Sequence, residues 1–139
     1  MADRLKWVDG SCFLGETNSG HALIMDGGIE HGGKNRGARP MELLLHGTAG
    51  CVAYDVLAIA KKAKQDIRDL WIDIESTQAT TSPQVYTRIN FHLVISGKQI
   101  QNEEIERAIQ LASEKYCSAS VMISQVTNIS YTYEIREAN

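Results

Sequence analysis

The stretch from Leu43 to Tyr54 limits what this chain can fold into more than any other. It carries no formally charged residue when His46 is counted as neutral, and Gly47, Ala49, Gly50 and Ala53 sit among large apolar side chains. Such a stretch leaves water only by burial. Its flanks read as helix ends. Pro40 suits a first helical position, Glu42 lies where the helix dipole favours an anion, and Lys61, Lys62 and Lys64 suit the last turns. The segment from Arg39 to Gln65 is therefore predicted as one helix of about 25 residues, about 37 Å long. One face carries Leu45, Ala49, Val52, Val56, Ile59 and Ala63. Another carries Leu44, Thr48, Cys51 and Asp55. The first half should be buried nearly all round, as a central helix. The segment reads as too short, and too interrupted by Asp55 and the lysines, to span a bilayer.

The rest of the chain supplies what packs around it. Apolar clusters at Leu5–Val8, Phe13–Thr17 and His21–Asp26, with a turn at Asn18-Ser19-Gly20, predict a three-stranded antiparallel meander. Five of the 11 glycines fall between Gly27 and Gly37. No GxxxxGK[ST] pattern accompanies them, so a mobile linker or lid is expected rather than a phosphate cradle. Leu70–Gln78 and Val85–Ile95 alternate as half-buried strands and should form a second antiparallel hairpin across Thr80–Pro83. On the second of these, Val85, Thr87, Ile89, Phe91, Leu93 and Ile95 share one face, and Tyr86, Arg88, Asn90, His92 and Val94 the other. Asn102 is a good N-cap for a helix to about Lys115, with Ile105, Ala108, Ile109 and Ala112 as its buried face. A short helix at Ala119–Ile123 and a strand at Val126–Arg136 close the order β-β-β-α-β-β-α-(α)-β. Strands in separate runs indicate an α+β fold in one domain, residues 1–139.

Composition excludes several classes. A chain of 139 residues with 43% hydrophobic and 22% charged side chains can build a core without metals or disulfides. A net charge of -3 gives no basic footprint, so no nucleic-acid partner is expected. Met1 to Gly10 holds four charged residues and no apolar run. No signal peptide, no membrane partner and a cytoplasmic location are expected.

The three cysteines, Cys12, Cys51 and Cys117, then read as reduced, redox-active or buried thiols rather than a disulfide framework. Cys12 lies in a predicted strand and reads as structural. Cys51 sits about three turns into its helix, beyond the terminal dipole. Asp55, one turn on, places a negative charge on the same face, which opposes thiolate formation. A reactive Cys51 would need a cation from elsewhere, and the loop arginines Arg36 and Arg39 are the candidates. Spacing alone does not bring Cys117 to Cys51. Tyr116 reads as a core aromatic. His46 stands about 140° round the helix from Cys51. His21, His31, His46 and His92 show no ligand spacing, so neither a metal site nor a cofactor is expected.

Two segments carry a resemblance. Pro40-Met41-Glu42-Leu43-Leu44 followed by Ala49-Gly50-Cys51 resembles the opening of the central helix in the OsmC/Ohr family. Ala112-Ser113-Glu114-Lys115-Tyr116-Cys117-Ser118 resembles that family's motif around its second cysteine. The likeness covers nearly the whole chain and is greatest to the small, functionally uncharacterised members. It implies an OsmC-like fold of antiparallel sheets around a long central helix, in an intertwined homodimer. It also implies a thiol-dependent peroxidase that reduces organic hydroperoxides, with Cys51 as the peroxidatic and Cys117 as the resolving cysteine. An external thiol reductant would complete the cycle. The family's active enzymes carry a glutamate directly after the proline, where this chain has Met41. Glu42 points about 180° away from Cys51 on an ideal helix and does not inherit that role. The other reading is a non-catalytic protein of this fold that holds a small apolar ligand at the dimer interface.

Overall fold

The structure is a computed structural model that describes residues 2–139. The chain divides into two compact units, Met1–His46 and Gly47–Asn139, with the boundary inside the long helix.

The first unit is built on the predicted meander. Strands β1 (Arg4–Asp9), β2 (Cys12–Glu16) and β3 (Ala22–Met25) form an antiparallel sheet in that order. Gly10 takes the left-handed conformation (φ 51°) that the tight β1–β2 turn requires. Cys12 is buried in β2, as its strand position suggested. The glycine-rich segment is more ordered than a linker. It holds a single 3₁₀ turn at Ile29–His31, and the amides of Gly33 and Asn35 donate to the carbonyls of Gly28 and Gly27 at 2.9 and 3.1 Å.

Helix α1 spans Pro40–Lys62 and opens as the sequence indicates. The backbone amide of Arg39 donates to Glu42 Oε1 at 2.8 Å, the reciprocal half of a capping box. It ends earlier than Gln65. Lys64 adopts a left-handed conformation (φ 61°), Gln65 N–H donates to the Ala60 carbonyl and Lys64 N–H to that of Lys61, a Schellman motif. Val52, Val56 and Ala60 are wholly buried at helical spacing. The expectation of burial all round is not met in the single chain. Leu44 and Tyr54 are 50% and 77% exposed, and Gly47 and Gly50 face solvent. By length and composition α1 is, among the described residues, the one helix that could cross a membrane, which corrects the reading that it is too short and too interrupted. Its fully buried face is that of a core helix.

The second unit sets a three-stranded sheet in the order β4 (Asp66–Gln78), β5 (Tyr86–Lys98), β6 (Asn128–Glu137). The β4–β5 hairpin pairs Leu70 with Ile95 and Ile72 with Leu93. On central β5, Ile89, Phe91, Leu93 and Ile95 of the predicted face are all 1% exposed or less, whereas Val85, just before the strand, and Thr87, at its start, are exposed because that end of the face is left uncovered. The expectation of wholly antiparallel sheets fails at β6, which runs parallel to β5 from Arg88↔Asn128 to Gly97↔Glu137. The physical reason is the connection. Helix α2 (Asn102–Leu111), a π-helical turn (Ala112–Tyr116) and helix α3 (Ser118–Ser124) give the chain the length needed to return to the starting end of β5. Ile105, Ala108, Ile109 and Ala112 are buried as predicted. The N-cap of α2 is Gln101, one residue before the expected Asn102.

Candidate active site at Cys51 and Cys117

The second unit brings together two thiols that sequence spacing left apart. Cys51 lies in the middle of α1, half-buried, with half-buried Asp55 one turn further on. Cys117 is wholly buried between the π-helical turn and α3. The two sulfurs and a carboxylate oxygen of Asp55 all lie within 4.8 Å of one another.

The local sequence explains how Cys117 is aimed. The helical run through Ala108–Ala112 widens by one residue at Ala112–Tyr116, so that Cys117 N–H donates to the carbonyl of Ala112, five residues back, at 2.7 Å. Cys117 then turns extended and caps α3. Its sulfur accepts the backbone N–H of Ser120 at 3.3 Å. Buried Ser120 ties the corner by donating its hydroxyl to the carbonyls of Ser113 and Cys117 at 3.3 and 3.2 Å. Burial pushes the Cys117 thiol up, and its hydrogen bond with Cys51 pushes it further, against the opposing pull of Ser120. Burial also pushes up the Tyr131 phenol nearby on β6.

Beside the thiols lies an open groove of about 480 Å³. Asp55, Ile59 and Lys62 of α1 line one wall; Arg107, Leu111 and Tyr116 line the other. Its surface is mainly apolar, with cationic groups at Lys62 and Arg107. Tyr116 was expected in the core. It is instead 52% exposed, with Lys115 Nζ 5.4 Å from its ring centre. The extra residue of the π turn sends Cys117 inward and Tyr116 outward.

The loop arginines belong to the first unit. Arg36 holds Asp9 through both terminal nitrogens, and its Nε donates to Asp26 at 3.1 Å. Asp9, and then Asp26, hold the guanidinium firmly protonated. Asp26 is buried, yet its carboxylate accepts from Ser11 Oγ at 2.7 Å and from the amides of Gly27 and Arg36 at 2.8 and 3.1 Å. Those donors, with Ser11 first, hold its carboxyl far below the usual range. Arg39 is held by neutral oxygens, Asn35 Oδ1 at 2.9 Å and the Gly37 carbonyl at 3.0 Å. Sequence reading missed Asp26; its one signal was an acid ending a predicted strand before two glycines. His92 bonds Thr132 and Glu134 across the β5–β6 pair.

The OsmC-like protein family model matches residues 32–132. Protein YhfA of Escherichia coli (strain K12) is 37% identical over 135 residues, 97% of this chain and 98% of YhfA. A hypothetical protein from Aquifex aeolicus is 28% identical, with a TM-score of 0.86 over 99% of this chain and 96% of that one. The structure of an organic hydroperoxide resistance protein OsmC from Legionella pneumophila shares the fold, with a TM-score of 0.72 and 21% identity over 96% and 97% of the two chains. Matched by the family model over most of its length and by YhfA almost end to end, the chain belongs to the OsmC-like family.

Proposed function

We propose that this protein is a thiol-dependent reductase of organic hydroperoxides that works through Cys51 and Cys117. The observation that carries the reading is the approach of two thiols, about 65 residues apart in the chain, to within 4.8 Å. The name of the Legionella relative, an organic hydroperoxide resistance protein, supports the substrate class. Burial divides the labour. The half-exposed Cys51 is the attacking group, and the fully buried Cys117, with its raised thiol, is the resolving one.

The Cys51 thiolate attacks the O–O bond of ROOH. That bond breaks, Cys51 becomes a sulfenic acid and, with one proton taken up, ROH leaves. The Cys117 thiol then displaces water from the sulfenic acid and forms the disulfide. An external dithiol reduces the disulfide and is itself oxidised. Of the two candidate cations, Arg36 is already committed to two carboxylates, whereas Arg39 is held by neutral oxygens. The protein works in the cytoplasm, where thiol reductants are available.

A homodimer completes the protein. The exposed apolar side chains of Leu5, Trp7 and Val8 on β1, and of Leu44 and Tyr54 on α1, are the surfaces that a second copy would cover. The groove at Ile59 and Leu111 favours one further reading, a binding protein for a small apolar ligand without turnover.

Treating the reduced protein with one equivalent of an organic hydroperoxide, followed by peptide mass spectrometry, separates the two. A Cys51–Cys117 disulfide formed at that stoichiometry supports the reductase. Unreacted thiols, or sulfinic acid only at large excess, would leave the binding protein.

A further inference from the structure

Two thiols and a carboxylate that meet in space are also a ligand set, and no spacing in the sequence announces it. Cys51 and Asp55 are offered by successive turns of one helix, and Cys117 comes from a corner about 65 residues on. Tetrahedral zinc with bonds of about 2.3 Å to sulfur and 2.0 Å to oxygen sets its ligand atoms about 3.5–3.8 Å apart. The donors here lie within 4.8 Å of one another, so side-chain rotations of about 1 Å close the set. Helical i, i+4 spacing fixes the first two donors on one face. The third is held by the Ser120 amide.

We propose that Cys51, Asp55 and Cys117 form a tridentate site for a thiophilic divalent cation, Zn²⁺ or Cd²⁺, with a fourth position left for water. Sulfur donors select soft cations over Mg²⁺ and Ca²⁺. Binding exchanges the two thiol protons for the metal, so affinity rises with pH. The site uses the same thiols as the proposed reductase, and the two states exclude each other. A metal-bound Cys51 is not free to attack, and a Cys51–Cys117 disulfide has no thiolate to offer. The cation is therefore an inhibitor of the thiol pair, and a protector of it against over-oxidation.

The test titrates the reduced protein with Zn²⁺ against a chromophoric zinc chelator, and with Cd²⁺ while following thiolate-to-metal charge-transfer absorption. One ion per chain is expected, with that absorption present. Loss of a ligand should weaken affinity by at least about tenfold in Cys51→Ser and in the near-isosteric Asp55→Asn. Protein first oxidised to the disulfide, unchanged in sequence, should not bind. Binding that survives both substitutions or the oxidation, or no stoichiometric binding at micromolar protein, overturns the site. The disulfide for that arm is made with diamide, a thiol-specific oxidant, so no peroxide enters this measurement. Metal binding without hydroperoxide-driven disulfide sinks the reductase alone, and disulfide formation without metal binding sinks the cation site alone.

Discussion

Closing the Cys51–Cys117 disulfide should change stability by an amount the chain geometry bounds. The bond would enclose about 65 residues, and in the chain-entropy model a loop of that length removes about 4 kcal/mol of unfolded-state freedom. That is an upper bound. The sulfurs lie within 4.8 Å, whereas a disulfide needs about 2.05 Å, so side-chain rotation or yielding of the π turn must draw them together. Cys51 is half-buried beside an open groove and has room to turn, while Cys117 is held by Ser120. If strain removes up to three-quarters of the gain, about 1–4 kcal/mol remains. At a urea dependence of about 2 kcal/mol per molar, the midpoint should rise by about 0.5–2 M on oxidation. The assay compares urea unfolding of the reduced and hydroperoxide-treated protein by circular dichroism, with Cys117→Ser treated identically. The wild-type shift should vanish in Cys117→Ser and reverse on adding dithiothreitol. An oxidised protein that unfolds at the same or lower urea would refute the reasoning, because the native structure would then not hold the two sulfurs ready to bond.

Three further outcomes follow from the structure. Iodoacetamide should label Cys51 first in the folded protein, whereas buried Cys117, its thiol also pushed up, and buried Cys12 should react only on unfolding; equal labelling of all three at neutral pH by peptide mapping would contradict the burial. Asp26→Asn should lower the urea midpoint at neutral pH. Because the folded carboxyl lies below its ordinary value of about 3.9, its contribution is fully present above that pH and is lost as pH falls from there through the lower folded value; a gap between variant and wild type that widens on acidification would reverse the assignment. Glu42→Ala removes the acceptor for the Arg39 amide and should cost about 0.5–1 kcal/mol of stability, while the rate of hydroperoxide-driven disulfide formation stays unchanged, as measured by quenched-flow alkylation.

What the sequence made legible was local. Period-two alternation located the buried face of β5, and helical spacing found Ile105, Ala108, Ile109 and Ala112, because one residue's burial fixes that of its neighbours two or four away. Proline and glutamate placed the start of α1 because cap preferences act within one turn. Its end came three residues early because a lysine, not a glycine, took the left-handed position, and lysine carries no such signal. The parallel entry of β6 depends on the combined length of three helical pieces, a property of no single window. The meeting of Cys51, Asp55 and Cys117 is tertiary throughout. Motif likeness supplied the pairing of the thiols, while physical spacing supplied neither that pairing nor the use of Asp55 as a third donor. The role of Arg36 was hidden by its partners, since Asp9 and Asp26 lie 27 and 10 residues away.

The π turn at Ala112–Tyr116 carries an evolutionary consequence. A single added residue there sets which side chain faces the thiol on α1, because each residue in a regular helix rotates the next by about 100°. Deleting one residue from this turn would restore ordinary helix and carry Cys117 away from Cys51, with neither cysteine mutated. Gain or loss of the thiol pair in related chains can thus be a matter of length at one corner. A gap in an alignment at Ala112–Tyr116 is then as informative as a substituted cysteine.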